Sequence, residues 1–306
     1  MVANPLVSDI GNYAIWFFVI TSIAAMGLNL TIGEILVPWK KKGLLTISLL
    51  ANFLAVPLFA LLILTLIPLE SGLATGLLIV AAAAGAPSLP KAISILKGDV
   101  AYAVGLTLIL ILVTILYMPI VLPFLIGDVS INKSSTALYL ITFMLIPLIL
   151  TMALRARLPE VAKRLHPVVS RSSDLSIIFV LLIHLFLLLT SDFTMKAGAV
   201  LGLQGVLVVI LFILGSFLIG YLMGGSDRQN REVLSFGTGF RNVSAALVVV
   251  TANFRDPQII FMVLVIAIFG IIFMMVFGGA IYRKKRKEGT IPKLRMKWPG
   301  GSNGRR

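Results

Sequence analysis

The sequence predicts an all-α polytopic membrane protein of nine transmembrane helices, built as inverted repeats around two broken helices. Three observations carry this. Of the 306 residues, 59% are hydrophobic and only 12% charged, about half the charged share of a soluble domain, and the mean hydropathy is +1.06. The apolar residues fall in runs near or above the ~20 needed to cross hydrocarbon. Two of those runs, one in each half of the chain, are interrupted near their middles by glycine or proline with a cation beside them.

Taken in order, the spans are Gly11–Leu30, Gly43–Leu69, Gly72–Gly98, Val100–Ile126, Thr136–Leu154, Leu175–Leu189, Ala197–Met223, Glu232–Phe254 and Gln258–Tyr282. Met1 to Ile10 lacks a positively charged n-region and a small-residue cleavage site, so the first span is expected to be retained. The third contains Gly85-Ala86-Pro87-Ser88-Leu89-Pro90-Lys91, and the eighth contains Gly237-Thr238-Gly239-Phe240-Arg241-Asn242. A broken helix frees backbone groups that lipid cannot satisfy, so each break needs cover from protein or a wet cavity. Both broken spans end in a charged turn that leads into another long span: Lys97-Gly98-Asp99 before the fourth, Arg255-Asp256-Pro257 before the ninth. The two units start on opposite sides, which is the inverted symmetry of alternating-access carriers. The sixth span is short enough to extend toward Asp174 and Ser191. The stretch Arg155–Ser173, with Pro159 and Pro167, reads as a long basic loop lying along anionic lipid.

Loop charge orients the chain. With the N-terminus outside, 21 of the 26 Lys and Arg lie inside, and only Lys133, Lys196 and Arg255 lie outside. The positive-inside rule therefore gives N-out, C-in, and the expected location is the plasma membrane. Ten of the inside cations are in the tail 283–306, expected to be a disordered topology anchor. This one-sided distribution argues for a lipid bilayer as partner and against nucleic acid. The two remaining cations, Lys91 and Arg241, sit in the breaks. All twelve acids fall at span ends or in loops, so no internal carboxylate is expected to neutralise them.

Two compatible roles follow for Arg241, whose guanidinium stays charged at any relevant pH. It can bind the freed carbonyls of the break and lock the crossing, or present donors to an anionic substrate. Lys91 follows Pro90 at the start of a half-helix, where the dipole already favours anions. Burial beside a cation would depress its pKa, leaving it neutral until an anion arrives; alternatively it pairs with carbonyls. Asn242, Ser88, Thr238, Ser244, Thr107 and Asn52 supply neutral polar groups near the breaks, a role helix–helix hydrogen bonding also explains. The candidate substrate-binding residues are thus Lys91, Arg241, Asn242, Ser88, Thr238 and Asn52. His184 reads as a packed histidine before a proton relay, although the relay suits its titration range.

There is no cysteine, which removes disulfides, thiolate metal sites and cysteine catalysis. Nucleotide-binding, metalloprotease and nucleophile-elbow motifs are also absent, so the chain is expected not to be an enzyme and to need no cofactor.

The pieces Met26-Gly27-Leu28-Asn29-Leu30, Lys97-Gly98-Asp99-Val100-Ala101 and Gly237-Thr238-Gly239-Phe240-Arg241-Asn242, with Asn52-Phe53 followed by Val56-Pro57-Leu58, resemble the bile acid:sodium symporter family. The match runs from about Gly11 to Tyr282. The resemblance implies two inverted repeats, with a core domain holding two crossing unwound helices and a panel domain beside it. The core would comprise spans two to four and seven to nine (43–126 and 197–282), and the panel spans one, five and six (11–30, 136–154 and 175–189). Substrate would bind in the cleft between them, on the inner side of the crossing.

The departures from the family pattern concern its sodium ligands. Its second break reads Glu-Thr-Gly-x-Gln-Asn, where Glu and Gln bind sodium; those positions are Gly237 and Arg241 here. The Ser-Asn pair of the other site corresponds to Leu89 and Pro90, and a later Ser corresponds to Ala103. Thr107 and Asn242 remain as polar matches, with Asn52 where the family often has Gln. Fixed positive charge thus stands where a hard cation would need oxygen ligands. The expected function is a secondary active or facilitative transporter of an organic anion, not sodium-coupled. Its rivals are a sodium-coupled symporter of the same substrate class and a non-transporting ligand sensor.

Overall fold

The computed structural model describes residues 5–127, 131–190 and 194–288, and every element among them is helical. Helix α1 (Pro5–Asn29) leads through two single-turn helices, α2 (Ile32–Ile35) and α3 (Val37–Lys40), into α4 (Lys42–Leu66). The first broken segment follows as α5 (Ser71–Ala82) and α6 (Leu89–Ile95), and then α7 (Val100–Ile126). Next come α8 (Lys133–Arg157), α9 (Pro159–Thr190) and α10 (Thr194–Met223). The second broken segment is α11 (Arg228–Gly239) and α12 (Val243–Asn253), and α13 (Pro257–Lys287) closes the described chain. Among the described residues, eight segments are long and apolar enough to cross a membrane. The halves of the first broken segment, at 12 and 7 residues, each fall short of a full crossing.

Proline sets the local geometry of two long helices. Pro57 and Pro147 lack an N–H and crowd the carbonyl four residues back, and in both cases the helix widens into a π-turn, Ala51–Ala55 and Ile141–Leu145. The displaced Phe53 carbonyl is taken by the Tyr117 hydroxyl at 2.7 Å. A π-turn is a common way to re-aim side chains at a functional site, and this one carries Asn52 into the interior.

Helix α1 packs along α9 and against α8, where Trp16 stacks on Phe143 with ring centroids 4.0 Å apart. Helices α4, α7, α10 and α13 enclose α5 and α11, while α12 packs on α1 and α8 as well as on α5 and α13. In segment 228–253, 89% of the most apolar window is buried inside the protein, against 17–56% for the other long segments. Its break is therefore shielded from lipid by protein, as an irregular backbone at membrane depth requires.

Each break differs from its sequence-based placement. The first leaves the helix at Ala83 and re-enters it at Leu89, so Pro90 and Lys91 are already helical. Gly85 makes this possible: its φ of +81° is strained for a side chain, and a Cβ there would lie 2.8 Å from the Ile111 nitrogen of α7. In the second segment Gly237 and Gly239 stay helical and only residues 240–242 are unwound. Gly239 instead gives room to Phe217, whose ring would lie within 2.5 Å of an added Cβ.

Thr114 of α7 satisfies the first break. Its hydroxyl accepts from the Ala84 N–H at 3.1 Å and donates to the Ala84 carbonyl at 3.0 Å. Thr114→Val keeps the shape and removes both bonds. It is expected to cost roughly 2 kcal/mol, since buried backbone groups lose their partner; an unfolding midpoint in detergent equal to that of the unmodified protein would refute this.

Two expectations outside the breaks need correction. The basic stretch 155–173 is not a loop: α9 starts at Pro159 and runs on as one 32-residue helix. Hydropathy marks where lipid begins, whereas helix start is set by Pro159 in the first turn and the Glu, Ala, Lys, Arg and Leu behind it. The tail also does not leave the protein at Arg283, because α13 continues to Lys287 and Lys285 is buried. The rest of the tail, 289–306, lies outside the described residues.

Candidate functional site

The two breaks meet at the Asn242 backbone N–H, which donates to the Ala83 carbonyl at 2.9 Å. The Asn242 side chain accepts from the Ala245 N–H at 3.0 Å and caps α12. Just before it, Arg241 turns inward and is 5% exposed. Its Nε donates to the Val80 carbonyl at 3.3 Å, and one terminal nitrogen donates to Asn52 Oδ1 at 2.8 Å and the Thr238 carbonyl at 3.5 Å. The other donates to the Ala81 carbonyl at 2.5 Å and the Asn52 carbonyl at 3.4 Å.

Every donor of the guanidinium is used, and every acceptor is a neutral carbonyl-type oxygen. The sources of those oxygens explain why a cation is stable there. Val80 and Ala81 lie in the last turn of α5, and Thr238 in the last turn of α11. The final carbonyls of a helix lack intrahelical partners and carry the negative end of its dipole. Two half-helix C-termini and the π-turn of α4 therefore converge on one positive charge. Asn52 is held in register by its own amide, which donates to the Ser48 carbonyl at 2.9 Å.

The other polar candidates at the crossing are turned to their own scaffolds. The Thr238 hydroxyl donates toward the Ser216 carbonyl at 2.7 Å, and the Thr107 hydroxyl donates to the Ala103 carbonyl at 2.7 Å. His184 bonds the Val180 carbonyl at 2.8 Å through Nδ1 and packs against Gly11 of α1.

Lys91 is elsewhere. It lines a cleft of about 470 Å³ bounded by α1, α6, α7 and α9, together with Ser88, Asn29, His166, Ser170 and Asp174. Its ammonium lies 3.2 Å from Asp174 Oδ2, and the two side chains are 64% and 62% exposed. The premise that burial would neutralise Lys91 therefore fails, and a carboxylate does stand against it. Of the six sequence-derived site residues, Asn52, Thr238, Arg241 and Asn242 meet at the crossing, whereas Ser88 and Lys91 face the cleft.

Asp174 escaped sequence reasoning for an identifiable reason. His166, Ser170 and Asp174 recur at four-residue spacing, the polar stripe of a helix face, but in a stretch read as a loop there is no face to assign. Thr114 escaped because a threonine inside an apolar run carries no distinguishing signal.

The model of the sodium bile acid symporter family matches residues 16–197, more than half of the chain. The chain belongs to that family. It is also 23% identical over 302 residues to a protein named "Probable sodium/metabolite cotransporter BASS3, chloroplastic" of Oryza sativa subsp. japonica, covering 92% of this chain and 70% of that protein.

Of the positions that the resemblance assigns to the sodium sites of the sodium bile acid symporter family, Leu89, Pro90, Ala103, Gly237 and Arg241 are apolar or cationic here, whereas Thr107 and Asn242 stay polar. Leu89 is fully buried, and an added Cβ on Gly237 would meet its Cδ2 at 3.5 Å. The two positions thus face each other as hydrocarbon and hydrogen. The protein is a multi-pass membrane transporter of this family.

Proposed function

We propose that the protein is a secondary carrier that moves a small organic carboxylate by alternating access and does not couple this to sodium. The observation that supports it most is Arg241, whose guanidinium fills a ring of five carbonyl-type oxygens at the ends of α5 and α11. Such half-helix C-termini are where transporters of this architecture hold a coupling cation. A side chain of the same sign, covalently attached, occupies that position permanently. It holds the two breaks together in every state, so ion arrival has no vacancy to fill.

The packing of α1 along α9 and against α8 supports a choice of moving parts. Helices α1, α8 and α9 act as the panel, and α4–α7 with α10–α13 act as the core. The cleft around Ser88 and Lys91 lies between them and receives the substrate carboxylate. The carrier sits in the plasma membrane, and loop charge supports an outside N-terminus with the cleft open toward the basic, cytoplasmic face.

The test is counterflow in proteoliposomes, which a ligand sensor cannot perform, repeated with Na⁺ replaced by K⁺ or choline. Rates are expected to agree within about twofold. A steep dependence on sodium would overturn the uncoupled reading and restore the sodium-coupled symporter.

A further inference from the structure

The cleft holds charges of both signs, and this narrows its ligand beyond a plain anion. Lys91 is carried by α6 and Asp174 by α9, so their ion pair bridges the two walls of the cleft. Both side chains are largely exposed, and such a pair is weak enough for a ligand to open. His166 is the remaining titratable group in the lining, on the same face of α9 as Asp174. Arg241 contributes no free donor, because all of its N–H groups are already bonded inside the crossing.

We propose that the Lys91–Asp174 pair is a head-group site for a zwitterionic amino-carboxylate, whose carboxylate goes to Lys91 and whose ammonium goes to Asp174. The proposal rests on the carrier reading and names its substrate class. A simple anion entering between the two would satisfy Lys91 but leave Asp174 unpaired beside a second negative charge, and like charges at close range repel. A simple cation has the mirror-image defect. A ligand with both charges replaces each lost partner and leaves no charge uncompensated. Ser88, Ser170 and Asn29 offer neutral hydrogen bonds around it, and Met26, Leu30 and Val104 form an apolar wall for the remainder. A volume of about 470 Å³ suits a molecule of amino-acid size or somewhat larger.

The experiment uses the full-length protein and matched triplets on the alanine, leucine and phenylalanine skeletons: the amino acid, its des-amino acid and its amide. Binding is read by thermal shift and transport by counterflow. In at least one triplet the amino acid is expected to bind roughly tenfold more tightly than either relative, the value of one charge-assisted hydrogen bond. Asp174→Asn is expected to erase that advantage while improving binding of the des-amino acid, a reversal that a merely structural role would not produce. A des-amino acid that binds as well as its parent, or an unchanged preference in Asp174→Asn, overturns the proposal. So does recognition of no member of any triplet. If other carboxylates still exchange in counterflow, the carrier reading stands without this head group; if nothing exchanges, the carrier reading itself fails.

Discussion

Arg241→Met is expected to abolish transport and to destabilise the crossing by more than roughly 5 kcal/mol, because each buried acceptor left without a donor costs about 1–3 kcal/mol. Four backbone carbonyls, those of Val80, Ala81, Thr238 and Asn52, lose the same partner, together with the Asn52 side-chain oxygen. Methionine can fill the volume but donates nothing. The two helix ends would also face each other with their negative poles uncancelled. Arg241→Lys keeps the charge with three donors in place of five and is expected to fall between. Unfolding midpoints in detergent, measured beside counterflow rates, check the order; a stable and active Arg241→Met would remove the basis of the proposed mechanism.

The same residue offers a gain-of-function arm. In Arg241→Gln the ring of oxygens loses its cation and keeps at most two of its five donors. Gly237 has room for a Cβ, which would meet only Leu89 Cδ2 at 3.5 Å and Leu106 Cδ2 at 3.9 Å. Gly237→Glu with Arg241→Gln therefore recreates the acid and amide that the family resemblance assigns to sodium binding. This double variant is expected to be stabilised by Na⁺ over K⁺, whereas the unmodified protein is not. Equal midpoints in the two salts would show that the tethered charge is not a replacement for the ion.

These two arms also mark what the sequence can and cannot disclose. Arg241 stood out because an uncompensated cation in an apolar run violates membrane energetics, and a violation is visible without coordinates. The apolar runs that make the helices were legible for the same reason, since hydrocarbon imposes one rule on every residue it touches. Partners contributed from far along the chain were not legible. Asn52 lies 189 residues from Arg241 and Asp174 lies 83 residues from Lys91, and nothing local relates either pair. Lys91 and Arg241 look equivalent in sequence, each a cation beside glycine or proline inside an apolar run. The structure separates them because Pro90 starts a new helix before Lys91 and turns it to the cleft, while Arg241 lies in the unwound turn itself. Helical glycines were likewise mistaken for the break, because glycine chosen for close packing, as at Gly239, looks the same as glycine chosen for a turn.

A second large effect is expected at the opposite end of the broken segments, where Glu232 and Lys285 form an ion pair of 2.5 Å with side-chain exposures of 7% and 6%. Lys285 also donates to the Leu96 carbonyl at 2.8 Å, at the C-terminal end of α6. One ammonium thus ties α13 to the start of α11 and the end of α6. Arg228 takes the other Glu232 oxygen at 3.2 Å and reaches Glu288 at 2.7 Å, holding the Glu288 carboxyl below the ordinary carboxylate range. The lock is electrostatic at its centre, and removing one partner of a buried pair strands the other. Glu232→Gln is expected to cost about 3–5 kcal/mol, whereas pairing it with Lys285→Met recovers most of the loss because no charge is left buried. The double variant loses the tie to Leu96, so its transport rate, unlike its stability, is expected to stay below that of the unmodified protein. Thermal unfolding of the four proteins in a double-mutant cycle gives the coupling directly. Additive effects would mean that each charge is solvated on its own, and that the C-terminal helix does not hold the half-helices through this pair.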